Sequence, residues 1–450
     1  MPHSKDVFIS YGRKESEALA WRLYQQLDGQ GYSAWFDRVN IPTGNDFIQQ
    51  IEHGIQHAHN FIFIISPHAN NSDHCRQEIE LALRYGKRMV PLLHIEKDLD
   101  KVHPAIGRIH WISARQQYDP RLEIAHWQDL DNFNDACSEI FKLIEKDREH
   151  VEQHTAMLLK AVAWQENHHS TMLLLEGEAR IKSQQWLLRE FPPPLQLPCK
   201  PTDLHARYIC ESRKNAENLL TDVYFCFHST QRPLFEQLKG QLNRNLITSW
   251  EYQHDLRKGQ TEAEAVEHAI ERAGLFLVLV SEALVQDADC LAELTHAASL
   301  NKKIIPVMAS PVPESKLPAA IRPLHPVNFT DNATEEDFAE DLQDLLREIT
   351  ESSGYYQQHR NYLVQALKWQ RHQQNPGLLL RGFNLQHAVD FLQAGERMPR
   401  PGGQGAFGEI PGHHHRHDQL HDLGWLETKA GDAEPALRTL GPDPEEHDTE

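Results

Sequence analysis

The chain carries one pattern twice, and each copy contains a cysteine and a glutamate at the same spacing. Asp6-Val7-Phe8-Ile9-Ser10-Tyr11 returns as Asp222-Val223-Tyr224-Phe225-Cys226-Phe227, and Cys75-Arg76-Gln77-Glu78 returns as Cys290-Leu291-Ala292-Glu293. The two openings lie 216 residues apart, the two glutamates 215, and Trp164 and Trp369 lie 205 apart. A drift of about ten positions is what insertions and deletions in loops leave behind. Solenoid units repeat every ~20–50 residues, so a period this long is a duplicated domain. Whatever one copy folds into, the other is expected to fold into as well.

In the first copy, apolar runs recur at residues 7–10, 32–36, 61–66, 89–94 and 109–113. They are β-rich and mostly unalternated, the mark of strands covered on both faces. Between them the apolar residues take helical spacing: Leu19, Leu23 and Leu27, then Phe47, Ile51 and Ile55, then Ile79 and Leu83 after a cap at Ser72 or Asp73. Strands alternating with helices predict a parallel sheet wrapped by helices. The second copy runs through 223–227, 247–252, 275–280, 303–307 and 326–329. A helical segment follows each copy, at 138–190 and 335–395, where His154, Trp164 and Gly177 match His359, Trp369 and Gly382. Phe191-Pro192-Pro193-Pro194 reads as a stiff connector.

Net charge is −20, from 65 acidic against 45 basic residues. That argues against nucleic acid or an anionic membrane as a partner, because phosphate-binding faces need clustered Lys and Arg. The six cysteines include no Cys-x-x-Cys pair, which reads as reduced thiols in a cytoplasmic protein. The start leads straight into a strand with no signal-peptide core, and no apolar run approaches the ~18 residues of a membrane span. From 396 to 450 the chain holds eight Gly, six Pro and twelve acidic residues against five basic ones, and is expected to be disordered. Two motifs in that tail are set aside. Gly403-x-Gly405-x-x-Gly408 follows prolines instead of a strand. The histidines at 413–415, 417 and 421 lack a folded frame for four fixed ligands, so no metal is expected.

Ligands of open parallel sheets bind beyond the carboxyl ends of the strands, where strand order reverses. That rule selects Tyr11–Lys14 after the first strand, Asp37–Gly44 after the second, and the stretch from Ser66 to Glu78 after the third.

These segments resemble the Toll/interleukin-1 receptor (TIR) domain family. Asp6–Tyr11 resembles its opening strand. Gly31-Tyr32-Ser33-Ala34-Trp35-Phe36-Asp37 with Ile41-Pro42-Thr43-Gly44 is similar to its second strand and following loop, and Phe63-Ile64-Ile65-Ser66 to its third strand. Ser72-Asp73-His74-Cys75-Arg76-Gln77-Glu78 matches its Cys-x-x-Glu helix, and Tyr85-Gly86-Lys87-Arg88-Met89-Val90-Pro91 its fourth strand. The likeness covers about residues 4–115 and, more weakly, 220–330. His74 stands where many enzymatic members carry Trp.

The resemblance implies two flavodoxin-like TIR domains, each a five-stranded parallel sheet flanked by helices and each followed by a small helical unit. The resulting division is 1–137 for the first TIR domain, 138–190 for its helical unit and 191–219 for a linker. It continues with 220–334 for a divergent second TIR domain, 335–395 for its helical unit and 396–450 for the acidic tail. The resemblance also implies either cleavage of NAD at the nicotinamide–ribose bond or non-catalytic signalling through TIR–TIR association, within the chain or between copies. In enzymatic members the residue at the Glu78 position is catalytic, and Glu293 is its counterpart. Tyr11, Arg13, Lys14, Trp35, Asp37, Gly44, Ser66 and Cys75 are the candidate substrate-binding residues, with Cys75 read as a buried helix cysteine.

One carboxylate suffices for such a reaction. Ordinary glycosidases need two because an alkoxide leaving group must be protonated. Nicotinamide leaves as a neutral base, so what needs stabilising is a developing oxocarbenium ion. NAD is then substrate, and no further cofactor is expected.

Overall fold

A computed structural model describes residues 4–40, 47–116, 132–191, 198–250, 255 and 259–397. The chain divides into two units, Met1–Asn218 with Lys239–Thr248, and Leu219–Leu238 with Ser249–Glu450.

The first unit begins β1 (Lys5–Tyr11), α1 (Glu17–Gly29), β2 (Ala34–Trp35), α2 (Asp37–Asn40), α3 (Phe47–His57) and β3 (Ala58–Ile65). It continues α4 (Pro67–Asn70), α5 (Asp73–Arg84), β4 (Arg88–Ile95), α6 (Pro104–Gly107) and β5 (Ile112–Gln116). Four helices complete it: α7 (Phe133–Glu145), α8 (Arg148–Glu166), α9 (Gly177–Leu187) and α10 (Asp203–Ala216). The sheet is parallel in the order β2-β1-β3-β4-β5, so its order reverses between β1 and β3.

Strand alternation splits the core into two layers. Val7, Ile9 and Tyr11 of β1 join α1 and α7, where Leu19, Leu23, Leu27, Phe133 and Ile140 are buried. Phe8 faces the other layer with Ile55 of α3, Cys75 and Ile79 of α5 and Leu158 of α8. Ser10, two residues after Phe8, falls by the same alternation on the α5 side. Gly31 has φ +84, which a side chain would strain, and so lets the chain turn from α1 toward β2.

Several expected boundaries move. The fifth strand lies at 112–116 instead of 109–113, because a turn of helix at Pro104–Gly107 carries the chain up to it first. The 137/138 boundary falls inside α7, whose Phe133, Ala136, Cys137, Ile140 and Ile144 belong to the sheet's own core. The 191–219 connector contains α10. Thr202 caps that helix in a capping box with His205, and Ala206, Tyr208 and Ile209 pack with Trp164 and Trp186.

The second unit contains β6 (Thr221–Cys226), and α11 (Arg232–Arg244) follows in the chain. Then come α12 (Glu262–Arg272), β7 (Ala273–Val280), α13 (Ala288–Ser299), β8 (Lys303–Met308) and β9 (Val327–Asn328). It closes with α14 (Glu335–Thr350), α15 (Ser353–Arg371) and α16 (Phe383–Arg397). Among the described residues its sheet is parallel and four-stranded, β6-β7-β8-β9, one strand fewer than expected. Where the second strand of this copy was expected, at 247–252, the described residues show a bridge that joins Val223 to Ser249. Short pairing is common at sheet edges. The tail from 398 onward, with its glycine and histidine motifs, lies outside the described residues.

The added helices are anchored in the same way in both copies. α8 packs on β3 and α3, and α15 packs on β7 and α12. Lys87 donates its ammonium to the Gln56 carbonyl at 2.7 Å, and Lys302 donates to the Glu271 and Ala273 carbonyls at 2.8 and 2.6 Å. Arg88 caps the end of α7 through the Leu143 and Lys146 carbonyls, and Lys303 caps α14 through those of Glu348 and Glu351.

Candidate active site

β1 ends with Ser10 and Tyr11, then leaves the sheet at Gly12. A Cβ on Gly12 would lie 2.7 Å from the Ala69 nitrogen, so only glycine lets α4 approach this closely. α5 starts at Ser72, whose hydroxyl accepts from the Cys75 nitrogen at 3.3 Å. The Cys75 thiol donates to the Tyr11 carbonyl at 3.5 Å and ties the helix to the strand. One turn further along α5, the Glu78 carboxylate receives the Ser10 hydroxyl at 2.5 Å. The end of β1 and the consecutive helices α4 and α5, more than fifty residues further on, thus meet at the carboxyl edge of the sheet, beside the β1/β3 reversal.

Glu78 is partly buried, and loss of water pushes its carboxyl up to about 7. Ser10's donated hydrogen bond pulls it back, the Asp37 charge pushes it higher, and the Arg13 charge lowers it. Asp37 accepts the Tyr11 phenol at 2.6 Å on one oxygen and Arg13 Nε and Nη2 at 3.0 and 2.6 Å on the other. Burial, with Asp37 as acceptor, raises the Tyr11 phenol well above its usual range.

The remaining sequence candidates divide. Lys14 is exposed beside Arg13. Trp35 is a core residue: its ring stacks on Phe8 at 4.3 Å, and a Cβ on Gly54 would meet its indole nitrogen at 2.7 Å. The ring is buried between these neighbours. Ser66 is fully buried and caps α4, accepting from the Ala69 nitrogen at 3.4 Å. Burial lifts the Cys75 thiol to about 12, so it stays protonated and structural. Gly44 lies outside the described residues. The residue that sequence reasoning passed over is Ser10. Its signal was a hydroxyl closing a strand otherwise built of Val7, Phe8 and Ile9.

In the second copy, Glu293 occupies the matching turn of α13. That helix is capped by Asp287, which accepts from the Cys290 nitrogen at 2.8 Å. Burial pushes the Glu293 carboxyl up to about 6, against hydrogen bonds from Cys226 and Tyr224. Phe227 stands at the Tyr11 position and stacks on Phe235 at 4.3 Å, while Ser229 stands at the Arg13 position. The phenol and guanidinium that hold Asp37 have no equivalents at these two positions. Among the described residues no group of three or more His, Cys, Asp or Glu side chains could hold a metal ion, and no helix is long and apolar enough to cross a membrane.

A duplicated flavodoxin-like sheet with an acidic helix at its carboxyl edge defines a tandem α/β-domain protein. The family model described as "TIR domain" matches residues 7–128 and 223–346, together more than half of the chain. The chain belongs to the TIR domain family. It is 22% identical over 169 residues to "NAD(+) hydrolase sarm1" of Drosophila melanogaster, covering 35% of this chain and 12% of that protein. It is 32% identical over 98 residues to "NAD(+) hydrolase SARM1" of Danio rerio, covering 22% of this chain and 13% of that protein. The match therefore spans about an eighth of the length of these curated relatives. Among solved structures, the TIR domain of the Toll-related receptor TRR-2 from Hydra magnipapillata aligns at 22% identity and a TM-score of 0.25, covering 29% of this chain and 98% of that one.

Proposed function

We propose that the first copy hydrolyses NAD at the nicotinamide–ribose bond, with Glu78 as its catalytic carboxylate, in a defence or signalling role. The observation that carries this reading is one carboxyl, partly buried at the carboxyl edge of the sheet, gripped by Ser10 and poised at about 7. Ionised, it stabilises the oxocarbenium ion that develops as nicotinamide departs with the bond's electron pair. Water then adds to the ribose carbon and loses a proton, giving ADP-ribose. Arg13, its side chain 62% exposed, and Lys14 follow β1 on the same edge and would meet the diphosphate. Membership of the TIR family and the two hydrolase relatives support this reading.

Other TIR domains are the macromolecular partners this reading calls for, within the chain or in a homo-oligomer, and their assembly gates the activity. Two copies on one chain raise the local concentration of such a neighbour. Phe227 and Ser229 in place of a phenol and a guanidinium favour a scaffold role for the second copy. The six free, buried cysteines suit a reducing, cytoplasmic setting.

The test is nicotinamide release from NAD by the full chain and by its Glu78→Ala and Glu293→Ala variants. Loss in the first with retention in the second is expected. Full activity in Glu78→Ala removes the assignment. No release at any protein concentration, together with a heteromer formed with another TIR protein, makes the chain a non-catalytic adaptor.

A further inference from the structure

We infer that Ser10 is a positioning residue that sets the orientation of the Glu78 carboxylate and favours its charged form through the hydroxyl it donates. Its kinetic consequence rests on the hydrolase reading above; the hydrogen bond itself does not.

Ser10 is 1% exposed, the last position of β1 that faces α5. A hydroxyl buried there must find a partner within the protein, because leaving it unmade carries the full cost of desolvation. The partner it finds is 68 residues away, at 2.5 Å, the short distance of a hydroxyl donated to an ionised carboxylate. Neither end is free to drift. Ser10 is registered against Phe63 in the ladder of β3, and the Cys75 thiol pins α5 to the very next residue of β1, Tyr11. Two cross-links between one strand end and one helix turn therefore fix the carboxylate before any ligand arrives, which is the arrangement a positioned charge needs.

The second copy supplies an internal comparison. Cys226 takes the Ser10 position and is fully buried, and its thiol lies 3.6 Å from the Cys290 carbonyl. Glu293 still receives hydrogen bonds from the strand, now from Cys226 and from Tyr224 two residues earlier. Both copies keep a strand donor aimed at the helix glutamate, yet build it from different atoms. A thiol is the weaker donor, and the added phenol offsets that.

The titratable and charged groups around Glu78 are Tyr11 and Arg13 after β1, Asp37 after β2, and Cys75 on its own helix. Tyr11 and Cys75 keep their protons through neutral pH, and Arg13 keeps its charge, so Glu78 is the group whose ionisation Ser10 controls.

The experiment follows nicotinamide release from NAD between pH 5.5 and 9.5 for the full chain and its Ser10→Ala and Ser10→Cys variants. In Ser10→Ala the acid limb of kcat is expected to move up by about one unit, with a smaller move in Ser10→Cys. At pH 7 that is about a fivefold loss of kcat in Ser10→Ala, recovered near pH 9, while KM for NAD changes little. A loss equal at every pH, or an unmoved profile, overturns the inference. Should the wild-type chain release no nicotinamide, the hydrolase reading fails and the titration itself decides. With 13C-carboxyl glutamate, the Glu78 resonance is identified by its absence in Glu78→Gln. An upward move of its midpoint in Ser10→Ala supports the role of Ser10, and an unchanged midpoint overturns it.

Discussion

Arg13 and Asp37 meet through two nitrogens, at 2.6 and 3.0 Å from the same carboxylate oxygen, where the chain leaves the first two strands of the sheet. The pair acts on Glu78 in opposite senses, since Asp37 pushes its carboxyl up and Arg13 draws it down. Arg13→Ala is expected to raise the Glu78 midpoint and Asp37→Asn to lower it, each by less than about one unit because Arg13 faces water. Carboxyl titration by NMR reads both. Movement of the two variants in the same direction would sink this electrostatic account. Neither change should cost more than about 1 kcal/mol of stability.

Glu78 makes the fold less stable as pH rises. Its folded carboxyl sits at about 7 against an ordinary 4.5, so the folded state holds a proton that the unfolded chain releases first. Stability contributed by the neutral acid is present below pH 4.5 and is lost as pH climbs through 7. Glu78→Gln, which retains an acceptor for Ser10, should therefore raise the melting temperature above pH 7, by roughly 1–3 kcal/mol in stability. The two proteins should melt alike near pH 4.5. Equal melting at pH 8 would refute the burial of this carboxyl.

The opposite sign holds for three buried histidines around Trp186. The rings of His154 and His205 lie 4.4 Å apart, and His150 lies 5.3 Å from the indole. Burial lowers His150 and His205 to about 4 and His154 well below its usual value. They stay neutral in the fold while the unfolded chain takes up protons near pH 6.5, so stability falls as pH drops from there toward 4. Melts followed by tryptophan fluorescence should show this loss. His150→Phe should reduce it by roughly 2 kcal/mol at pH 5, and a pH-independent melt would contradict the arrangement.

Arg88 ends α7 by donating to the Leu143 and Lys146 carbonyls while only 4% exposed. Arg88→Ala should remove both bonds and leave buried carbonyls without them, at a cost of about 3 kcal/mol. Lys303→Ala, at the matching but more open place in the second copy, should cost about 1 kcal/mol. Urea unfolding measures both, and equal costs would undo the comparison.

Local composition was enough to read the duplication, the parallel sheets and the start of α5 to within the pair Ser72 and Asp73, of which the structure chooses Ser72. Unalternated apolar runs and leucines at i, i+4 and i+8 record burial on both faces of a strand and on one face of a helix. It was not enough to place α10, because that helix is polar and its apolar contacts come from Trp164 and Trp186, far away in the chain. The second strand expected in the other copy, at 247–252, shows among the described residues as one bridge at Ser249, since an edge strand depends on pairing more than on its own residues.

At the acidic site the division is sharper. The repeated Cys-x-x-Glu drew attention to Glu78 and the TIR resemblance gave it its expected role, while the strand-end rule selected the stretches that hold Tyr11, Arg13, Asp37 and Glu78. Packing alone decided that Trp35 and Ser66 serve the core, that Cys75 is a tether, and that Ser10 grips the glutamate. Periodicity reports which face a side chain takes, because that follows from backbone geometry within a few residues. Which atoms meet across 68 residues is set by the stacking of strand against helix, and by how much water that stacking leaves behind.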